Sequence, residues 1–102
     1  MSGCAGSEPF ALQVLGDSME PEFRDGAIVI VEPGVVVDDG CYVVAQHNEE
    51  YVLRQLNIHE QRWYLKPLNE DYETVEISGL DTIRGRVIQR TGRRRSERKS
   101  YL

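Results

Sequence analysis

The chain predicts a mostly β domain, a compact rolled sheet or barrel-like fold with at most short helical turns. Three observations lead there. No segment sustains helical periodicity. Apolar residues fall in short runs rich in Val, Ile and aromatics, and turn signals punctuate them at regular intervals. A length of 102 residues suits one domain, which buries only about two thirds of its unfolded surface.

The elements follow in order. Residues 1–9 are small and polar and read as a flexible N-terminal segment. Phe10–Leu15 reads as a strand with apolar residues on both faces. Met19–Phe23 fits one helical turn, with Asp17 or Ser18 as N-cap and Pro21 tolerated in the first turn. Asp25-Gly26 signals a turn before the buried strand Ala27–Val31. Pro33-Gly34 and Asp38-Asp39-Gly40 are further turns. Cys41–Ala45 and Tyr51–Leu56 are strands joined by a polar loop of hairpin length, His47 to Glu50. Arg62–Lys66 is a strand ended by Pro67, Thr74–Ile77 is short and extended, and Ile83–Gln89 is a last strand with a bulge or bend at Gly85. The organisation is therefore a flexible segment (1–9), one domain (10–89) and a basic, flexible tail (90–102).

Composition narrows the function. The net charge of −5 conceals an asymmetry: residues 1–89 carry 6 Lys/Arg against 16 Asp/Glu, a balance of −10, and residues 90–102 carry 6 against 1, a balance of +5. Cys4 reads as a terminal thiol and Cys41 as a small apolar strand residue. His47 and His59 lack neighbours with ligand spacing, so no metal and no cofactor are expected. No apolar run approaches the roughly 20 residues of a membrane span, and Met1 to Ala5 lacks the pattern of a secretory signal. The expected location is cytoplasmic, with no membrane contact.

Ser18 lies in Gly16-Asp17-Ser18-Met19-Glu20-Pro21, followed by Phe23, Asp25-Gly26 and an apolar strand. Further along, Leu65-x-Pro67-x-Asn69 follows a hairpin strand reading Tyr51-Val52-Leu53-Arg54-Gln55-Leu56. Over residues 10–89 this order resembles the catalytic domain of the LexA/UmuD-type serine peptidases, which includes phage repressors. Type I signal peptidases share the Ser-Met-x-Pro part, but they need a membrane anchor that is not expected here. The resemblance implies a LexA catalytic-domain-type fold, Ser18 at the nucleophile position, and Asp17, Met19 and Pro21 as groove and supporting residues. It also implies a lysine base at the position that Arg54 occupies.

That substitution governs the chemistry. A serine hydroxyl attacks a carbonyl well only when a base takes its proton. A buried lysine can serve once desolvation leaves it neutral. Neutralising an arginine near pH 7 costs roughly 7 kcal/mol or more, so Arg54 stays charged, free to hydrogen-bond Ser18, pair with a carboxylate or hold an anion. Lys66, on the neighbouring strand, is the other basic candidate in the domain body. The bland account of Ser18 is a helix N-cap.

Family members cut their own chain at Ala-Gly or Cys-Gly, and Ala5-Gly6 is present here. If residues 10–16 are extended, they carry the chain roughly 20 Å from Ser18. The links from Gly6 to Phe10 span at most about 14 Å, so cleavage in cis falls short, whereas cleavage in trans within a dimer does not. No helix-turn-helix is expected in this sequence.

Three readings stay open. One is a non-catalytic or very weakly active domain that binds a peptide or partner protein by strand addition. The second is an active serine peptidase using Ser18 with another base. The third is a regulatory subunit that acts through its tail. Arg93, Arg94, Arg95, Arg98 and Lys99 suit phosphate contacts on nucleic acid or docking on an acidic surface, a partner's or the chain's own. They also suit a solvated end. Tyr101-Leu102 suits anchoring in an apolar groove, and homodimerisation is expected from open sheet edges.

Overall fold

The computed structural model describes residues 8–34, 36–91 and 98–101. The strands are β1 (Phe10–Gln13), β2 (Ile28–Glu32), β3 (Tyr42–His47), β4 (Glu50–His59), β5 (Arg62–Lys66), β6 (Val75–Ile77), β7 (Ile83–Thr91) and β8 (Lys99–Ser100). They form one antiparallel sheet in the order β1-β2-β7-β3-β4-β5-β6, with β8 added to β7. Among the described residues there is no α-helix, and Leu80–Thr82 makes a single 3₁₀ turn. The mostly β expectation holds.

Alternation along β3 explains the layering. Val44 packs into a core with Val14, Met19, Phe23, Val29, Val31 and Val87. Val43 and Ala45 point the other way, into a core with Cys41, Leu56 and Leu65. Successive side chains of a strand face opposite sides, so a strand buried on both faces reads as an unbroken apolar run. Leu53 packs on the first cluster, and Val43 and Trp63 belong to the second. Burial holds the Cys41 thiol above its ordinary pKa, as suits a packing residue. Cys4 and the Ala5-Gly6 bond lie outside the described residues.

Several element bounds differ from the sequence expectation, each for a local reason. β4 runs past Leu56 because Asn57, Ile58 and His59 pair with Tyr64, Trp63 and Arg62. The turn closing that hairpin places Glu60 and Gln61 at φ 52° and 70°, a two-residue geometry usually signalled by Gly or Asn. Asn48 and Glu49 make the same kind of turn between β3 and β4, at φ 51° and 66°. Met19–Phe23 makes one hydrogen-bonded turn, Phe23 N–H to Met19 O at 2.9 Å, without a helix. Its expected caps are occupied elsewhere, as described below. At the other end β7 continues to Thr91, and Lys99–Ser100 returns to pair with Arg90 and Gln89.

The irregularity near Gly85 is a bulge. Val44 faces Gly85 and Ala45 faces Ile83, so Arg84 is skipped. A Cβ on Gly85 would lie 2.5 Å from Val31 Cγ1 and 3.1 Å from the Glu32 carbonyl oxygen. The glycine is what lets β7 approach β2 this closely. Gly85→Ala is expected to destabilise the fold by roughly 1–3 kcal/mol through overpacking, measured as a lower midpoint in urea.

Candidate functional site

The chain leaves β1 into a turn closed by its own polar groups. Val14 exchanges both backbone hydrogen bonds with the segment entering β2, its N–H to Ala27 O and its O from Gly26 N–H, each at 2.7 Å. Gly16 sits at φ +88°, a region that suits glycine, and its N–H donates to Asp25 Oδ1 at 2.7 Å. Asp25-Gly26 therefore returns the chain and also ties the turn that carries Asp17 and Ser18. Met19 and Phe23 are fully buried beneath it, and the exposed Pro21 follows a cis peptide bond.

A second set of bonds holds the turn from the segment after β5. Asn69 N–H donates to Ser18 O at 2.9 Å, and its side-chain amide donates to Asp17 O at 3.3 Å. Tyr72 donates its hydroxyl to Asp17 Oδ1 at 2.7 Å, which raises the phenol's pKa. Neither Asp17 nor Ser18 is a helix cap: the Asp17 carboxylate receives Tyr72 and the Ser18 hydroxyl receives Arg54. Asn69 lies in a motif visible in the sequence, but its role as a clasp on the serine turn carried no sequence signal. Tyr72 stood in no pattern.

Arg54, on β4, reaches this turn. Its Nη1 donates to Ser18 Oγ at 2.9 Å and to Leu53 O at 2.8 Å, and its guanidinium carbon lies 5.9 Å from the centre of the Tyr72 ring, within cation–π range. Burial pushes its pKa down from the ordinary arginine value, with Tyr72 opposing. The guanidinium remains a cation at neutral pH. No carboxylate pairs with it among the described residues. Lys66 does not take its place. It stands opposite Gln55 in the β4–β5 ladder, one residue out of phase with Arg54 and so on the other face, and it is exposed.

Ser18 and Arg54 line a cavity of about 620 Å³ whose walls include Leu12, Val14, Val29, Val44 and Leu53. That volume lies within the range of ligand pockets. A Peptidase S24-like family model matches residues 3–88. The chain belongs to the Peptidase S24-like family. It is 38% identical over 96 residues to an HTH-type transcriptional regulator for conjugative element SXT from Vibrio cholerae, covering 87% of this chain and 45% of that protein. It is 37% identical over 86 residues to a LexA repressor from Geotalea uraniireducens, covering 80% of this chain and 43% of the relative. A repressor protein from a Salmonella phage is 36% identical over 87 residues, covering 79% of this chain and 40% of the relative. The chain thus spans less than half the length of these relatives.

This S24-like domain also clasps its serine turn from the far end of the chain. Tyr101 donates its hydroxyl to Glu22 Oε2 at 2.6 Å, and Lys99 Nζ reaches the same oxygen at 2.8 Å. Arg90 bonds the Glu22 carbonyl oxygen and lies 3.5 Å from its carboxylate. The Tyr101 ring packs 5.4 Å from both Phe23 and Tyr42, centre to centre. Lys99 therefore docks on the chain's own acidic body. Arg98 is exposed, and Arg93, Arg94 and Arg95 lie outside the described residues.

Burial raises the Glu22 carboxyl, but Lys99, Tyr101 and Arg90 together outweigh it and hold the pKa below the ordinary 4.5. Stability from this group is fully present above 4.5 and is lost as pH falls through the lower folded value. Glu22→Gln is expected to lose stability at neutral pH and to flatten the acid limb, seen in denaturant midpoints from about pH 7 to about pH 3. Tyr101→Phe, which removes one neutral donor, should cost about 1 kcal/mol at neutral pH.

Proposed function

We propose that this S24-like domain is non-catalytic or very weakly active and binds a peptide or partner protein in a regulatory role. The contact that carries the reading is Arg54 Nη1 to Ser18 Oγ at 2.9 Å. A guanidinium has five donors and no acceptor, so Arg54 cannot take the serine proton. It also engages a lone pair of the oxygen that would attack. No other side chain among the described residues hydrogen-bonds the Ser18 hydroxyl.

Binding is supported by the cavity beside Ser18, part of whose wall is apolar, and by the position of β1 at the end of the sheet order. An edge strand offers main-chain groups for strand addition by an extended peptide. A regulatory role is supported by the relatives, which are named as repressors and transcriptional regulators. We include a homodimer in the proposal, and a single-chain mass by light scattering at micromolar concentration would overturn that part. Docking of Lys99 on Glu22 favours a tail that serves the domain itself over one whose Lys99 contacts phosphates.

Fluorophosphonate labelling read by intact mass tests the central claim on the wild type, Ser18→Ala and Arg54→Lys. The wild type and Ser18→Ala are expected to stay unlabelled while Arg54→Lys gains one adduct. An adduct on the wild type that Ser18→Ala abolishes would assign another base and make the protein an active serine hydrolase.

A further inference from the structure

We infer that the cavity beside Ser18 receives the carboxyl terminus of an extended peptide, with Arg54 as the receptor for the terminal carboxylate. This rests on the peptide-binding reading above and adds which end of the peptide is bound and by what.

Three observations point to an anion with an apolar neighbour. First, Arg54 is a partly buried cation without a carboxylate partner among the described residues. Such a charge is costly to desolvate unless paired. The nearby acids do not answer it. The Asp17 carboxylate accepts the Tyr72 hydroxyl. Glu50 lines the same cavity but lies four residues away on β4, about 13 Å along the strand.

Second, the hydrogen bonds of the guanidinium come from Nη1, to Ser18 and Leu53. Nε and Nη2 keep the donors that a carboxylate takes in a two-point fork. The Ser18 hydroxyl accepts from Arg54 and keeps its own proton to donate to the same anion.

Third, the neighbouring wall is both apolar and edge-like. Val14 directs its N–H and C=O towards the β2 side. In an antiparallel ladder the flanking residues direct theirs the other way. Gln13 and Leu15 both line the cavity, and no described strand pairs with that edge of β1. A peptide laid along Gln13 to Leu15 brings its last side chain against Leu12, Val14 and Leu53, which fits an aliphatic C-terminal residue.

The test uses fluorescent random hexapeptide pools that end in Leu or Val, each made as the free acid and as the amide, titrated by anisotropy into the full chain. The free acids are expected to bind about 10-fold to 100-fold more tightly than the amides, the scale of a charge-assisted hydrogen-bonded pair. Arg54→Met should remove that preference, read as the ratio of acid to amide affinity, with Arg54→Gln in its place if the methionine variant does not fold. Equal binding of acid and amide by the wild type would overturn the carboxylate receptor while leaving a peptide groove. A preference that survives in Arg54→Met would also overturn it. Binding of neither pool would overturn the peptide-binding reading itself.

Discussion

Val43, Val44 and Ala45 sit on one strand between two cores, and that double burial sets the frame on which the site residues stand. Val44 packs with Val14 and Met19, which flank the serine turn on either side. Val43 pairs with Arg54 across the β3–β4 ladder and packs with Leu56 and Leu65 on the opposite face. A slip of one residue in β3 would exchange these two sets of side chains between the faces. The same register sets Arg54 beside Val43 and next to Leu53, and its guanidinium reaches Ser18 Oγ at 2.9 Å. The tight passage of Gly85 against Val31 and Glu32 holds β2, and with it β1, against β7, which pairs with β3 on its other side.

The electrostatics of the site depend on a fixed charge rather than a titrating one. A lysine in this position is useful to a peptidase because burial brings its pKa towards neutrality. The same burial acts on Arg54 and lowers its pKa, but from a starting point that leaves the cation intact. The desolvation is therefore uncompensated by proton loss, and the charge is offset instead by two oxygen acceptors and the face of Tyr72. Each of these is neutral. A partly buried guanidinium whose direct contacts are all neutral has its strongest remaining interaction with an anion that enters from outside.

Much of this was legible in the chain. Short apolar runs separated by turns indicate the sheet, and the β-branched run after Gly40 indicates a strand, although its burial on both faces is seen only in the structure. The proximity of Arg54 to Ser18 was different in kind: 36 residues separate them, and no period or spacing joins them, so only the family resemblance suggested it. The β4–β5 hairpin end was missed because Glu60 and Gln61 carry no turn signal, although the pairing of Ile58 with Trp63 imposes the turn. Tyr72 and Glu22 escaped notice because a tyrosine in a polar loop and a glutamate in an acidic body match no pattern. Their partners are distant in sequence, at Asp17, Lys99 and Tyr101.

The serine turn is held at both of its ends by separate parts of the chain. Asn69 and Tyr72 bind the backbone and carboxylate of Asp17 and the carbonyl of Ser18. Lys99, Tyr101 and Arg90 bind Glu22, next to the buried Phe23. A segment of this length with only turn hydrogen bonds of its own would otherwise sample many conformations, each with a different distance from Ser18 to Arg54. Fixing it from two sides keeps that distance short and keeps the remaining guanidinium donors in one orientation. Such preorganisation lowers the ordering cost of binding. It favours a groove whose donors stay in place for an incoming ligand, because the Arg54 hydrogen bond occupies the Ser18 oxygen that catalysis would need to release.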